Sequence, residues 1–190
     1  MINKCCLFLV FLIGSGCTLA QQYNFRNYLP KVGGLSQSQV YDIIQDPSGY
    51  IWVATYGGGV CRFDGEIFTT FNRINNLSND EVICLTLDEE GAVWVGTRKG
   101  INIIRNGKVQ LPDSTLCIKT IQTKEIRDLE FLDDGRLVIL VKNGNQYIWD
   151  GSQLDFFKLP SACNASLAYS SGILMATKNH GLYYINNGDT

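Results

Sequence analysis

The sequence predicts an all-β protein, a β-propeller with about four four-stranded blades that belong to a larger ring of about seven. Three observations carry this. The stretch Asp46–Gly65, DPSGYIWVATYGGGVCRFDG, returns as Asp88–Gly107, DEEGAVWVGTRKGINIIRNG, with Trp52 and Trp94 42 residues apart. Four glycine pairs share a spacing of 16: Gly49 with Gly65, Gly91 with Gly107, Gly135 with Gly151, Gly172 with Gly188. A further glycine follows each first member by nine residues, at Gly58, Gly100, Gly144 and Gly181. The third observation is chemical: the second member of every pair follows Asp or Asn, in Asp64-Gly65, Asn106-Gly107, Asp150-Gly151 and Asn187-Gly188. Such dipeptides between apolar runs signal a type I′ hairpin, which needs positive φ at both central residues.

In chain order, the first element is a leader. Lys4 precedes an apolar run from Cys5 to Ile13, and Thr18-Leu19-Ala20 offers small residues for cleavage, so residues 1–20 read as an export signal. A second reading is a lipoprotein signal with a lipid anchor at Cys17, in Gly14-Ser15-Gly16-Cys17. The remainder, 21–190, is expected to be propeller, with blades near 35–71, 77–111, 117–157 and 163–190.

Each blade is expected to hold four antiparallel strands. The first set is Val40 to Gln45, Ile51 to Thr55, Val60 to Phe63 and Ile67 to Phe71. The second is Val82 to Leu87, Val93 to Thr97, Ile101 to Arg105 and Lys108 to Leu111. The third is Ile126 to Phe131, Leu137 to Val141, Gln146 to Trp149 and Leu154 to Phe157. The fourth has Ser166 to Tyr169, Ile173 to Thr177 and Leu182 to Ile185. Asp46-Pro47-Ser48-Gly49, Asp88-Glu89-Glu90-Gly91 and Leu132-Asp133-Asp134-Gly135 are turns, and their carboxylates are expected to bond backbone rather than calcium. One four-stranded sheet cannot bury both faces, so the copies stack, with Trp52 and Trp94 as core anchors.

Residues 23–28 are expected to form an additional outer strand, because Phe25-Arg26-Asn27-Tyr28 precedes Leu35-Ser36 much as Phe68-Thr69-Thr70-Phe71 precedes Leu77-Ser78. Two ring closures follow. In one, this strand completes the fourth blade of a four-bladed ring. In the other, favoured by the divergence of the copies, the chain is the front portion of a larger propeller.

Composition narrows the function. A formal net charge of −2 gives no support for nucleic-acid binding. Cys61, Cys84, Cys117 and Cys163 have no C-x-x-C spacing and read as small buried apolar residues, so no metal and no cofactor is expected. One histidine, His180, is sparse provision for an enzyme.

Leu35-Ser36-Gln37-Ser38-Gln39-Val40, then Gly49-Tyr50-Ile51-Trp52-Val53-Ala54-Thr55, then Gly59-Val60-Cys61-Arg62-Phe63-Asp64-Gly65, resembles the two-component regulator propeller repeat, and Leu77 to Gly107 matches almost as well. The third copy departs: Ile139 stands for the usual glycine and Val141 for the usual threonine. The resemblance implies a periplasmic sensor region of a hybrid histidine kinase of the Bacteroidetes type. It implies an extracellular ligand, often a glycan, a membrane helix and output domain further along the full-length protein, and a homodimer of that protein. The ligand surface is expected on the loops after the second strand of each blade, at Tyr56, Arg98 with Lys99, Lys142, and Lys178 with His180. Convergence of these cations would favour an anionic ligand such as an acidic sugar, stacked on Tyr56. The alternatives are solvated loop charge, a secreted propeller lyase or hydrolase, and an adhesive interaction module.

Overall fold

Short runs of β-branched and aromatic residues between turn dipeptides become strands, and the turns set their lengths. The computed structural model describes residues 24–112, 118–159, 161–170 and 172–186. The first blade holds β1 (Val40–Gln45), β2 (Ile51–Thr55), β3 (Gly59–Phe63) and β4 (Phe68–Phe71). The second holds β5 (Val82–Leu87), β6 (Val93–Thr97), β7 (Gly100–Arg105) and β8 (Lys108–Gln110). The third holds β9 (Ile126–Phe131), β10 (Leu137–Val141), β11 (Asn145–Trp149) and β12 (Leu154–Lys158). The fourth holds β13 (Cys163–Tyr169), β14 (Gly172–Thr177) and β15 (Leu182–Asn186). Every sheet is antiparallel in chain order. Among the described residues there is no α-helix, only single 3-10 turns at Arg73–Asn75 and Ile118–Thr120.

The first strands β1, β5, β9 and β13 lie side by side, so they are the inner strands around the propeller axis. Inner strands β1, β5 and β13 carry a register shift at the same place, between Val40 and Asp42, Val82 and Cys84, and Cys163 and Ala165. The core lies between blades. Trp52 and Ala54 face Val93 and Val95 of the second blade. Trp94 faces Ile126, Leu129 and Ile139 of the third, and Val138 and Leu140 face Ile173 and Met175 of the fourth. Each fully buried aliphatic side chain contributes about 1.5–3 kcal/mol, so these faces dominate stability.

Trp52 and Trp94 are each 4% exposed, as core anchors should be. Each is held by a turn carboxylate. Asp46 Oδ1 accepts from the Ser48 and Tyr50 N–H groups at 2.9 and 3.0 Å, and Oδ2 accepts from Trp52 Nε1 at 2.7 Å. Asp88 repeats this with Glu90, Ala92 and Trp94. In the third blade Leu132 and Val138 occupy the two positions, and both are buried.

Several expectations need correction. Residues 24–29 form no strand; Tyr28 instead sets its ring edge-on against Phe63 and Phe68, at 5.0 and 5.6 Å. The Tyr28 ring therefore serves side-chain contact with the first blade. Type I′ geometry holds at Asn106-Gly107, with φ of 51° and 70°. At Asp64-Gly65 and Asp150-Gly151 only the glycine has positive φ. There the Asp oxygen accepts two backbone N–H groups, from Glu66 and Ile67 and from Ser152 and Gln153, which fixes a longer loop. Gly172 is not a turn glycine: it starts β14 opposite Asn186, and Ser170 takes the left-handed conformation with φ 55°. Register also corrects one position of the third copy and leaves Val141 at the threonine. Asp128 pairs with Leu140 as Cys84 pairs with Gly96, so Leu140, not Ile139, stands where the repeat has glycine.

The export signal, Cys17, Cys117 and Asn187-Gly188 lie outside the described residues. Cys61, Cys84 and Cys163 are free and buried.

Candidate functional site: the rim of the second and third blades

Threonine fixes the loops that carry the expected ligand residues. Thr55, Thr97 and Thr177 end their strands, and each hydroxyl donates to a glycine carbonyl at or just before the start of the following strand, at 2.8–2.9 Å. Lys99 and His180 donate backbone N–H groups to Thr97 and Thr177 in turn. Val141 lacks the hydroxyl, and Gly144 N–H closes that turn on the Val141 carbonyl instead. The residue after each second strand is then pinned to the start of the inner strand of its own blade. Tyr56, Arg98, Lys142 and Lys178 donate N–H to the carbonyls of Gln39, Glu81, Glu125 and Ala162 at 2.9–3.0 Å.

Between the second and third blades these loops enclose a pocket of about 460 Å³. Arg98 and Lys99 form one wall, Lys142 and Asn143 another, and Thr123–Glu125 the floor. The floor is clamped to β7. Gln122 Nε2 donates to the Ile101 carbonyl at 3.0 Å, its Oε1 accepts from Ile101 N–H, and Gly100 N–H bonds the Lys124 carbonyl.

Sequence reasoning placed Arg98, Lys99 and Lys142 on one surface, and the structure brings them together. It missed the acids between them. Arg98 Nη1 donates to Glu81 Oε2 at 2.6 Å and to the Tyr56 hydroxyl at 3.0 Å, while its Nε lies 3.4 Å from Glu125 Oε2. Lys142 Nζ donates to the same Glu125 oxygen at 2.8 Å, and Arg127 reaches the other at 3.1 Å. The hydrogen bond from Arg98, opposed by partial desolvation and helped by Tyr56, holds the Glu81 carboxyl below its usual range. The same contact raises Arg98. The signal for these acids was present: Glu81 precedes Arg98 by 17 residues, and Glu125 precedes Lys142 by the same interval.

The rim therefore holds five cations, Arg98, Lys99, Lys124, Arg127 and Lys142, against two carboxylates. Lys99 and Lys124 have no side-chain ion pair among the described residues. Tyr41, which the sequence did not single out, lies tilted against Tyr56 at 5.3 Å and 32° and extends the aromatic surface beside Arg98. Tyr56 stands beside this pocket, bonded to Arg98, without lining it, and Lys178 and His180 are exposed on the fourth blade and do not line it either. Among the described residues no three His, Cys, Asp or Glu side chains are grouped to hold a metal ion.

Blades of antiparallel strands ranged about an axis, with repeat-matched loops at one end, define a β-propeller of repeat type. The profile described as "Two component regulator propeller" matches residues 34–57 and 76–99. The chain is 38% identical over 102 residues to Histidine kinase P4 of Formosa agariphila, covering 50% of this chain and 7% of that protein. Its fold is similar to the extracellular domain of a hybrid two component system of B. thetaiotaomicron, with a TM-score of 0.71, 18% identity and coverage of 90% of this chain and 24% of that one. Streptogramin B lyase is also similar, with a TM-score of 0.64, 14% identity and coverage of 82% and 54%. At these identities the two solved structures speak for the fold alone.

Proposed function

We propose that the chain is part of an exported sensing module of a two component signalling protein. It binds an anionic, hydroxyl-rich ligand of the glycan class at the rim and performs no catalysis itself. The observation that carries this reading is the pocket between the second and third blades. Consecutive repeats there direct Arg98, Lys99 and Lys142 to one opening, with cations in excess. Carboxylates bind such a surface through charge-assisted hydrogen bonds, and Tyr41 with Tyr56 offers a flat face for a sugar ring. Glu81 and Glu125 orient the cations, so the charge is presented in fixed positions.

In this reading the matched Formosa kinase and the B. thetaiotaomicron extracellular domain supply the context, and residues 1–20 direct export, by cleavage or by a lipid anchor at Cys17. The blades are part of a larger ring, and the output lies elsewhere in the full-length protein. Titration calorimetry with acidic oligosaccharides tests the site. Arg98→Ala combined with Lys142→Ala should weaken binding by about tenfold or more. Unchanged affinity in the double variant, or no binding by the unaltered chain, would overturn the assignment.

A further inference from the structure

At the opposite end of the strands, the first and second blades part to leave a cleft of about 470 Å³, within the range that holds small molecules. The β1–β2 turn supplies Asp46, Pro47 and Tyr50, β3 supplies Arg62, and the second blade supplies Glu90 and Ile104. Arg62 is the unusual group. Its guanidinium carbon lies 4.5 Å from the centroid of the Tyr50 ring and 5.8 Å from that of Trp52. The side chain is half-buried, and its N–H donors have no hydrogen-bond or ion-pair partner among the described residues.

The nearby acids bond other groups. Asp46 lines the same cleft, and its oxygens accept from the turn N–H groups and the Trp52 indole. Asp64, whose charge is felt by Arg62, accepts from the Glu66 and Ile67 N–H groups. Glu90 is bonded by Arg105, which also reaches Asp88 at 2.9 Å. The second blade thus satisfies its arginine internally, and the first does not. A guanidinium resting face-on against a tyrosine keeps its donor edge free, and that edge matches a carboxylate in bidentate fashion.

We infer that this cleft is a second binding site, for a small carboxylate. The two oxygens of the ligand take the Arg62 fork, and its apolar body lies against Pro47, Tyr50 and Ile104. The site stands apart from the rim and does not depend on what binds there.

Benzoate is a suitable probe, with benzyl alcohol as its neutral counterpart at matched ionic strength. In the full chain labelled with nitrogen-15, benzoate should shift the Arg62 Nε–H and Trp52 indole resonances saturably, and benzyl alcohol should not. Arg62→Met, which keeps an apolar stem, should weaken benzoate binding by about tenfold or more. Arg62→Lys should fall between, since an ammonium keeps the charge without the fork. The Trp94 indole reports whether each variant keeps the fold; if Arg62→Met fails that check, Arg62→Lys decides. Equal response to both probes, no saturation with benzoate, or wild-type affinity in the folded variant that decides would overturn the inference.

Discussion

Asp88 serves three partners at once: the turn N–H groups, the Trp94 indole and Arg105. Removing the carboxylate leaves a donor of a nearly buried ring without an acceptor. Asp88→Ala should therefore cost about 1–3 kcal/mol, read as a lower denaturant midpoint at unchanged slope. Asp88→Asn, which keeps an acceptor oxygen, should cost less. The third blade shows the other solution. Leu132 and Val138 replace the acid and the indole together, so neither is left unpaired. The sequence displays this paired exchange, and it is legible once the register is known. The ion pairs at the rim were less legible. Arg98 and Lys142 could be placed by counting from the turn glycines, but their acids belong to the inner strand, which approaches only after the sheet has folded.

At the scale of the strand, almost all of β1 to β15 could be read from turn dipeptides and alternation, because antiparallel blades depend on local connections. The turn types were the weaker part. Asp and Asn look alike in the repeat, yet Asp bonds the following backbone and Asn106 adopts positive φ. Gly96 shows what strand reading alone cannot supply. Its backbone is ordinary for a strand, but a Cβ there would collide with Cys84 and with Ile126 of the third blade. The glycine exists for close approach of the next sheet. Gly96→Ala should cost about 1–3 kcal/mol by thermal or denaturant unfolding, and Cys84→Ala in the same chain, which removes the nearest colliding atom, should recover part of it.

Across the whole molecule, carboxylates tie the inner strands to one another. Asp42 accepts Leu85 N–H at 2.8 Å, Asp128 accepts the Ser166 N–H and hydroxyl at 2.5 and 2.7 Å, and Glu130 accepts Ala168 N–H at 3.0 Å. Burial raises the Asp128 carboxyl, the Ser166 bonds oppose the rise, and the charge of Asp42 adds to it. Glu130 is raised by burial as well, with Asp128 as a like-charged neighbour, and Cys84 beside them is pushed well up by burial and by both aspartates. A carboxyl raised in the folded state stabilises the fold most when protonated. Its contribution is full below the ordinary aspartate value of about 3.9 and is lost as pH rises through the folded value. The stability of the unaltered chain relative to Asp128→Asn should thus grow on acidification from neutral pH and level off below about pH 3.9, in paired urea titrations. A gap that stays constant, or shrinks, would contradict this account.

The fourth blade turns one apolar face to solvent, with Leu167 57%, Leu182 64% and Tyr184 47% exposed. By register, Leu174 and Ala176 on that face stand where Trp52 and Ala54 stand in the first blade. Each described blade thus carries an apolar leading face, as wagons in a line carry a coupling. Such a construction is modular in evolution and in the laboratory: duplicating or excising one complete repeat keeps apolar face against apolar face, whereas a cut within a repeat splits a sheet.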